Sequence, residues 1–487
     1  MRQAIVAFSL GALVCLTLAA CASSSTSTHT PFGPAPAGAV PASISIQDNP
    51  PSGVTILLFQ IQVTAANLQP ADTTQPPVPM LTGPQDVELL HLQTEAALLA
   101  NASVPAGQYT GLMATFANPQ LTIFNQSNQT LTVGTQSCAP NQLCMLTPPL
   151  NQMNVNIQAP TSPFPITLSA ASPLALVLHF DVNASVQGDL SVTPMVNLTQ
   201  LPIPPNAVTQ FIHLTGIVTA VSAPGFTLQA GFGGNSYNIT TDSNTKYRFD
   251  HFCSADNFSC IAVGQVLKVR ADQMSGGVLD ATEVKLIAPQ SQPAFEGVIT
   301  STNAAQNQFQ VVLTDRQCRE QQFLQVPFGG PVTVQLATSP TFTIDSDDIT
   351  LPSGLSFASV QDLLVGQVVE FQPQLPITIS GTPPNVTFTV NASNVQLEPS
   401  HVTATVSAVS AMATPPNFTL NGLPPLLTGA GITMLQVDAV MGTDFENISG
   451  VGALSSGQTV SVSGLLFNTP TQPTVIAEEV KLRMDNY

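Results

Sequence analysis

A chain of 487 residues with 28 acidic against 10 basic residues carries a formal net charge of −18, yet only 8% of its residues are charged. Such a surface repels phosphate backbones, which excludes nucleic acid as a partner, and it gives no purchase on anionic lipid headgroups. With 42 Pro, 44% hydrophobic residues and no Trp, the composition favours strands joined by Pro-rich turns, and the length allows three or four domains.

Arg2 is a lone positive charge ahead of a small, apolar run over residues 4–20, interrupted by Ser9 and Thr17. The run is too short for a membrane span and has the layout of a signal peptide. It closes on Leu18-Ala19-Ala20-Cys21, which resembles the lipobox of bacterial lipoproteins. That resemblance implies a diacylglycerol on the Cys21 sulfur, cleavage before it, and attachment to a membrane through the lipid anchor. Several acyl chains, at about 0.8 kcal/mol per buried methylene, make a durable anchor. Ala22, where inner-membrane retention uses Asp, implies the outer membrane or the cell surface. Residues 22–42, rich in Ser and Thr and then in Pro, Ala and Gly, build no core and read as a tether.

Residues 43–200 form the first expected domain. The stretch 54–63 begins as an apolar run and ends alternating, which predicts a strand. Residues 87–92 predict another, while 95–100 suit a helix. Further strands are expected at 112–116, 121–124, 131–133, 166–168 and 174–182. Their number and spacing predict an antiparallel β-sandwich. Pro105-Ala106-Gly107-Gln108-Tyr109-Thr110, the leucines at 89, 90 and 92, and Phe180-Asp181 resemble a family of uncharacterised domains in bacterial surface lipoproteins. The resemblance implies a carbohydrate-binding-like or transthyretin-like sandwich and no catalytic residue.

Beyond a Pro-rich linker at 201–205, four landmarks recur three times in one order. Opening strands at 216–221, 297–301 and 405–409 are followed by Phe226, Phe309 and Phe418. Then come Gly264-Gln265, Gly366-Gln367 and Gly457-Gln458, and closing strands at 283–286, 394–397 and 479–482. Units of this size predict three small β-barrels resembling the OB-fold, at 208–289, 293–398 and 401–487. The pattern also resembles a second family of uncharacterised tandem bacterial repeats. The whole chain is thus expected to be all-β. The repeats are expected as beads with separate cores, so that Phe418→Ala unfolds the last one alone.

Seven Cys divide into Cys15 and Cys21 at the start, Cys318, and two close pairs in polar loops, Cys138/Cys144 and Cys253/Cys260. Export permits disulfides, and neither pair has the further ligands a metal site needs, so both are read as disulfides with Cys318 left as a thiol. The densest acidic cluster, Asp345, Asp347 and Asp348, is a weak candidate for Ca²⁺ and reads better as a strand-end turn. Gly231 to Asn235 reads as a hairpin turn, Asp181 as a structural carboxylate, and the six scattered His as structural or surface groups. No motif of hydrolases, zinc proteases or nucleotide binding occurs, and no cofactor is expected. The expectation is a non-enzymatic envelope lipoprotein binding a glycan, an envelope polymer or a protein. The alternatives are a glycan hydrolase using paired carboxylates from different strands, and a passive spacer that displays the first domain.

Overall fold

Along the strand Ile56–Pro70, Phe59, Ile61 and Val63 are buried while Gln60 and Gln62 are only half so, the period-2 pattern of one wet and one dry face. The computed structural model describes residues 39–48 and 56–483, apart from breaks at 82, 90–96, 126–128, 141, 170–173, 202–207, 231–234, 250–252, 254, 275–278, 289–292, 318–322, 347–348 and 383–384. The chain is all-β: an N-terminal sandwich followed by three small barrels.

In the sandwich, Ile56–Pro70 and Gly107–Phe124 pair along their lengths at the centre of one sheet. The facing sheet runs Val196–Leu201, Leu174–Phe180, Ala39–Asp48, Ala97–Pro105. Phe180 locks the two sheets, meeting Phe59 and Phe116 edge-on at centroid distances of 5.6 and 5.7 Å. Two expectations are corrected here. Ala39–Asp48 starts inside the stretch read as tether, and it lies parallel to Leu174–Phe180, so the sandwich is not wholly antiparallel. Residues 97–100 are strand and not helix, because Ala39–Asp48 offers them an antiparallel partner and tertiary pairing overrides local propensity. The Tyr109 motif is a corner: the buried Tyr109 donates its hydroxyl hydrogen to the Pro105 carbonyl at 2.8 Å.

The second and third barrels share one strand order, first–second–third–fifth–fourth, closed on itself. The first has the same order with its third strand broken into Asn235–Thr240 and Lys246–Arg248, both pairing parallel with Leu279–Ala288. Phe226, Phe309 and Phe418 are each buried in their own barrel. The recurring Gly-Gln has a physical cause. Gly264, Gly366 and Gly457 each adopt a φ of 92°, open to glycine and strained for other residues. Their N–H groups donate to Val218, Ile299 and Val406 of the opening strand at 2.7, 2.9 and 2.8 Å. The side chains of Gln265, Gln367 and Gln458 accept from the backbone N–H three residues earlier, at 2.7, 2.6 and 2.7 Å, and pin the turn.

The barrels are not beads. Leu465, Phe467 and Ile476 of the third barrel belong to the core cluster of the second. Gln367 of the second barrel donates from Nε2 to the Leu466 carbonyl at 2.8 Å. Strand Thr459–Phe467 is buried on both faces from Val460 onward, which a lone barrel would not allow. The sandwich is joined too: Leu57 and Leu58 pack on Val312, and the Thr122 hydroxyl donates to the Gly329 carbonyl at 2.5 Å. Phe467→Ala is therefore expected to cost about 3–5 kcal/mol and to destabilise the second and third barrels together. Hydrogen exchange resolved by barrel checks this: loss of protection confined to the third would restore the bead reading.

Candidate functional site

Docking the sandwich on the second and third barrels leaves a cleft of about 1410 Å³ between them. One wall is the hairpin region closed by the Cys138–Cys144 disulfide, contributing Thr135, Gln136, Ser137 and Gln142. The opposite wall comes from the second barrel, with Thr300, Ser301, Thr302, Gln310, Thr333 and Thr387. Leu426, Gly429 and Ala430 of the third barrel close one side, while Phe124 and Phe388 add partly exposed rings. None of the described lining residues is ionisable, since Cys144 is held in its disulfide. Several polar groups are pre-set: Ser301 donates to Gln310 Oε1 at 3.1 Å, and Gln136 Oε1 accepts from the Thr147 N–H at 2.7 Å. Both contacts fix a carboxamide so that its NH₂ remains available as a donor. The cleft can therefore pair with hydroxyls and amides and pack apolar faces, but it cannot neutralise a charge.

The charges are elsewhere. The first barrel holds five of the ten Lys and Arg residues of the chain: Lys246, Arg248, Lys268, Arg270 and Lys285. Register aligns Thr215, Lys268, Lys285 and Arg248 in one row across adjacent strands. The second barrel carries the opposite row, Asp315, Glu296 and Glu370. Like charges side by side on one sheet repel, and each row is relieved by the other. Lys285 crosses the junction: its ammonium donates to both carboxylate oxygens of Glu398 at 3.2 Å and also to Asp345. All three side chains are at least nine-tenths buried. Burial alone would push Lys285 down, but the carboxylates of Glu398, Asp345 and Glu370 outweigh it and hold its pKa well above the usual lysine value. Burial pushes the Glu370 carboxyl up to about 7, against the pull of Lys285. A third wall comes from the last barrel, where Arg270 lies 3.9 Å from Asp444.

The candidate residues from sequence are thus distributed. Cys138–Cys144 and Cys253–Cys260 are disulfides with Cα separations of 5.7 and 5.8 Å. The first borders the cleft, and the second staples a loop of the first barrel. Asp345 is a partner of Lys285; Asp347 and Asp348 lie outside the described residues, as do Cys21 and Cys318. Among the described residues no cluster of three or more His, Cys, Asp or Glu has the arrangement of a metal site. Asp181 caps a short helical turn by accepting from the Ala184 N–H at 2.9 Å. His179 bonds the Thr199 hydroxyl at 2.8 Å, and burial, with Lys481 and Arg483 nearby, lowers its pKa to about 4. Gly231 to Gly234 lie outside the described residues, between paired Ala230 and Asn235. Of the site residues singled out from sequence, Cys144 lines the cleft and Asp345 the junction; the other side chains of both sites were not anticipated as site residues.

Residues 40–194 match a family described as a domain of unknown function, DUF4382, and residues 215–285 match a second, DUF5666. The first covers most of the sandwich and the second most of the first barrel. No curated protein matches the chain. Among solved structures, drosophila Unr CSD456 is 10% identical over 56% of this chain and 98% of its own, with a TM-score of 0.12. A multidomain protein with nucleic acid binding domains from Streptococcus pneumoniae is 10% identical over 57% of this chain and 74% of its own, with a TM-score of 0.11. At these scores neither likeness carries an argument about function.

Two outcomes follow from the junction. Lys285→Met leaves two buried carboxylates without their cation and is expected to destabilise the protein by about 3–5 kcal/mol, whereas replacing Lys285, Asp345 and Glu398 together by neutral residues should restore most of that loss. Denaturant unfolding checks both. Glu370 has a folded pKa of about 7 against an ordinary 4.5, so the folded state binds its proton more tightly. Its contribution is complete below about pH 4.5 and is lost as pH rises through 7. The melting temperature of Glu370→Gln should therefore fall less than that of the native protein between pH 5 and pH 8; equal slopes would remove Glu370 from the account.

Proposed function

We propose that this protein is a bacterial envelope lipoprotein, anchored through acylated Cys21, that binds an uncharged, hydroxyl-rich polymer in the cleft between the sandwich and the barrels. A glycan strand is the polymer class that fits. The observation that carries this reading is the lining: no ionisable group among its described residues, in a chain of formal net charge −18. A neutral sugar needs hydroxyl and carboxamide partners plus an apolar face for its C–H groups. Thr, Ser and Gln supply the first, Phe388 and Phe124 the second. The volume of about 1410 Å³ exceeds that of a small-molecule pocket and suits several residues of a chain.

Hydrolysis by an acid pair would need two carboxylates flanking the scissile bond. The described cleft residues include none, and the buried acids at the junction are engaged with Lys285. This supports binding over glycan hydrolysis. On a polysaccharide array, the soluble protein lacking residues 1–21 should retain neutral glycans and pass over uronate-rich ones. Phe388→Ala with Thr302→Ala should weaken retention at least tenfold with unchanged circular dichroism. Preference for acidic glycans, or no retention of neutral ones, would sink the reading. Separately, Cys21→Ser should release the full chain from membranes.

A further inference from the structure

The second barrel repeats one chemistry from strand to strand. Register sets Asn303, Gln308, Gln335, Asn391 and Gln374 side by side on its five strands. On the three middle strands the neighbours Phe309, Val334 and Val390 are buried, so these carboxamides lie on the outer face. Strands about 4.8 Å apart carry the row over about 19 Å around the barrel. Two residues along the same strands, about 7 Å away, runs a second row that contains Ser301, Gln310 and Thr333. Those three line the cleft, and no member of the carboxamide row does. The row is thus a polar surface that continues the cleft wall beyond the cleft.

We propose that this row carries the continuation of the polymer held in the cleft. The occupant is then a long, linear, neutral chain of β-linked sugars laid across the strands of the second barrel, and not a short oligosaccharide. The inference rests on the glycan reading of the cleft and adds the length and form of the chain. First, a carboxamide presents a donor and an acceptor in one plane and can meet two hydroxyls of one sugar. Repeated at the strand spacing, it calls for a ligand whose hydroxyls repeat as well, as those of an extended sugar chain do. Second, the row is partly pre-set. Gln308 donates from Nε2 to Gln335 Oε1 at 2.6 Å, and Gln335 Nε2 is turned onto the carbonyls of Gln306, Asn307 and Leu336, each at 3.2 Å. Gln308 Oε1 is thereby held in place as an acceptor. Gln374 is fixed in the same way, donating to the Ser393 hydroxyl at 2.9 Å. Asn391 is exposed and its side chain has no hydrogen bond among the described residues, so its whole carboxamide is open to a ligand. Third, the row is not a by-product of the repeat. The same register positions hold Asp438, Ile476 and Leu465 in the third barrel, and Asp280 and Asp272 in the first. Only the barrel that walls the cleft with three of its strands carries carboxamides at all five positions.

The test is isothermal titration of the whole chain, in a detergent without a sugar headgroup, with cellobiose and cellohexaose as probes. Cellohexaose should bind at least tenfold tighter than cellobiose. Asn391→Ala with Gln308→Ala should remove that advantage and leave cellobiose unchanged, with an unchanged circular dichroism spectrum. Asn391→Ala alone, at an exposed position with no bond to lose, should remove part of it and keeps the test decisive if the double variant misfolds. Cellohexaose binding no tighter than cellobiose, or undiminished in these variants, overturns the inference and leaves the cleft reading standing. Binding of neither probe overturns the inference, and retention on the polysaccharide array then decides the cleft reading by itself. A concentration-dependent dimer that Asn391→Ala abolishes would overturn the inference in favour of a second copy of this chain as the occupant of the row.

Discussion

The ammonium of Lys285, held between Glu398 and Asp345, is the contact on which the arrangement of the barrels turns. Its importance follows from what surrounds it. The first barrel concentrates half of the chain's basic side chains, and the second gathers acids in a row on its outer face. Each row alone is self-repelling, so each barrel carries a face that is unfavourable until the other covers it. Apolar contact supplements the charges: Val266 and Ala294 bury one another at the same seam. The desolvation of the triad makes it a poor source of net stability and a good source of specificity. A misdocked first barrel would leave a lysine or two carboxylates buried without a counterion, an error costing several kcal/mol.

Rigid docking has a consequence for the cleft. Its lining residues come from residues 124–145, 300–333, 365, 386–388 and 426–430, that is, from the sandwich and two barrels. Such a surface exists only when those units hold a fixed relation. The Thr122 to Gly329 hydrogen bond and the packing of Leu57 and Leu58 on Val312 fix the sandwich to the second barrel. The shared core around Phe467 fixes the third. Neutral binding sites depend strongly on this kind of preorganisation, because no long-range Coulomb attraction compensates for a loose geometry.

How much of this was legible depends on whether the cause was local. The all-β class, the sandwich and the three repeated units follow from alternation and from landmarks a few residues long. Gly457-Gln458 is the clearest: one residue is chosen by a φ of 92°, the next by the hydrogen bond its side chain accepts from Ser455. Both causes lie within four residues, so the sequence displays them. Phe467 was half legible. Leu465-Leu466-Phe467 is a contiguous apolar run, and contiguity signals burial on both faces, which contradicts an isolated barrel. The Lys285 triad was not legible, because its partners lie 60 and 113 residues away and no period links them. The available signal was coarser: five basic residues in one unit against two in each of the others. The cleft left less trace still, since Thr, Ser and Gln are abundant throughout and only docking selects which of them face the cleft.

Charge is segregated between the cleft and the junction. A chain with few charges can solvate itself with hydroxyls and amides almost anywhere, yet half of its Lys and Arg residues fall in one barrel and three of them line one seam. At physiological ionic strength exposed charges are screened over about 8 Å, whereas charges buried at the junction are screened much less and hold the barrels together. An acidic cleft would repel teichoic, uronic and other anionic polymers and draw in loose cations; a basic one would be occupied by them. A cleft without ionisable groups does neither. What such a surface can select, it selects by shape and hydrogen-bond pattern alone.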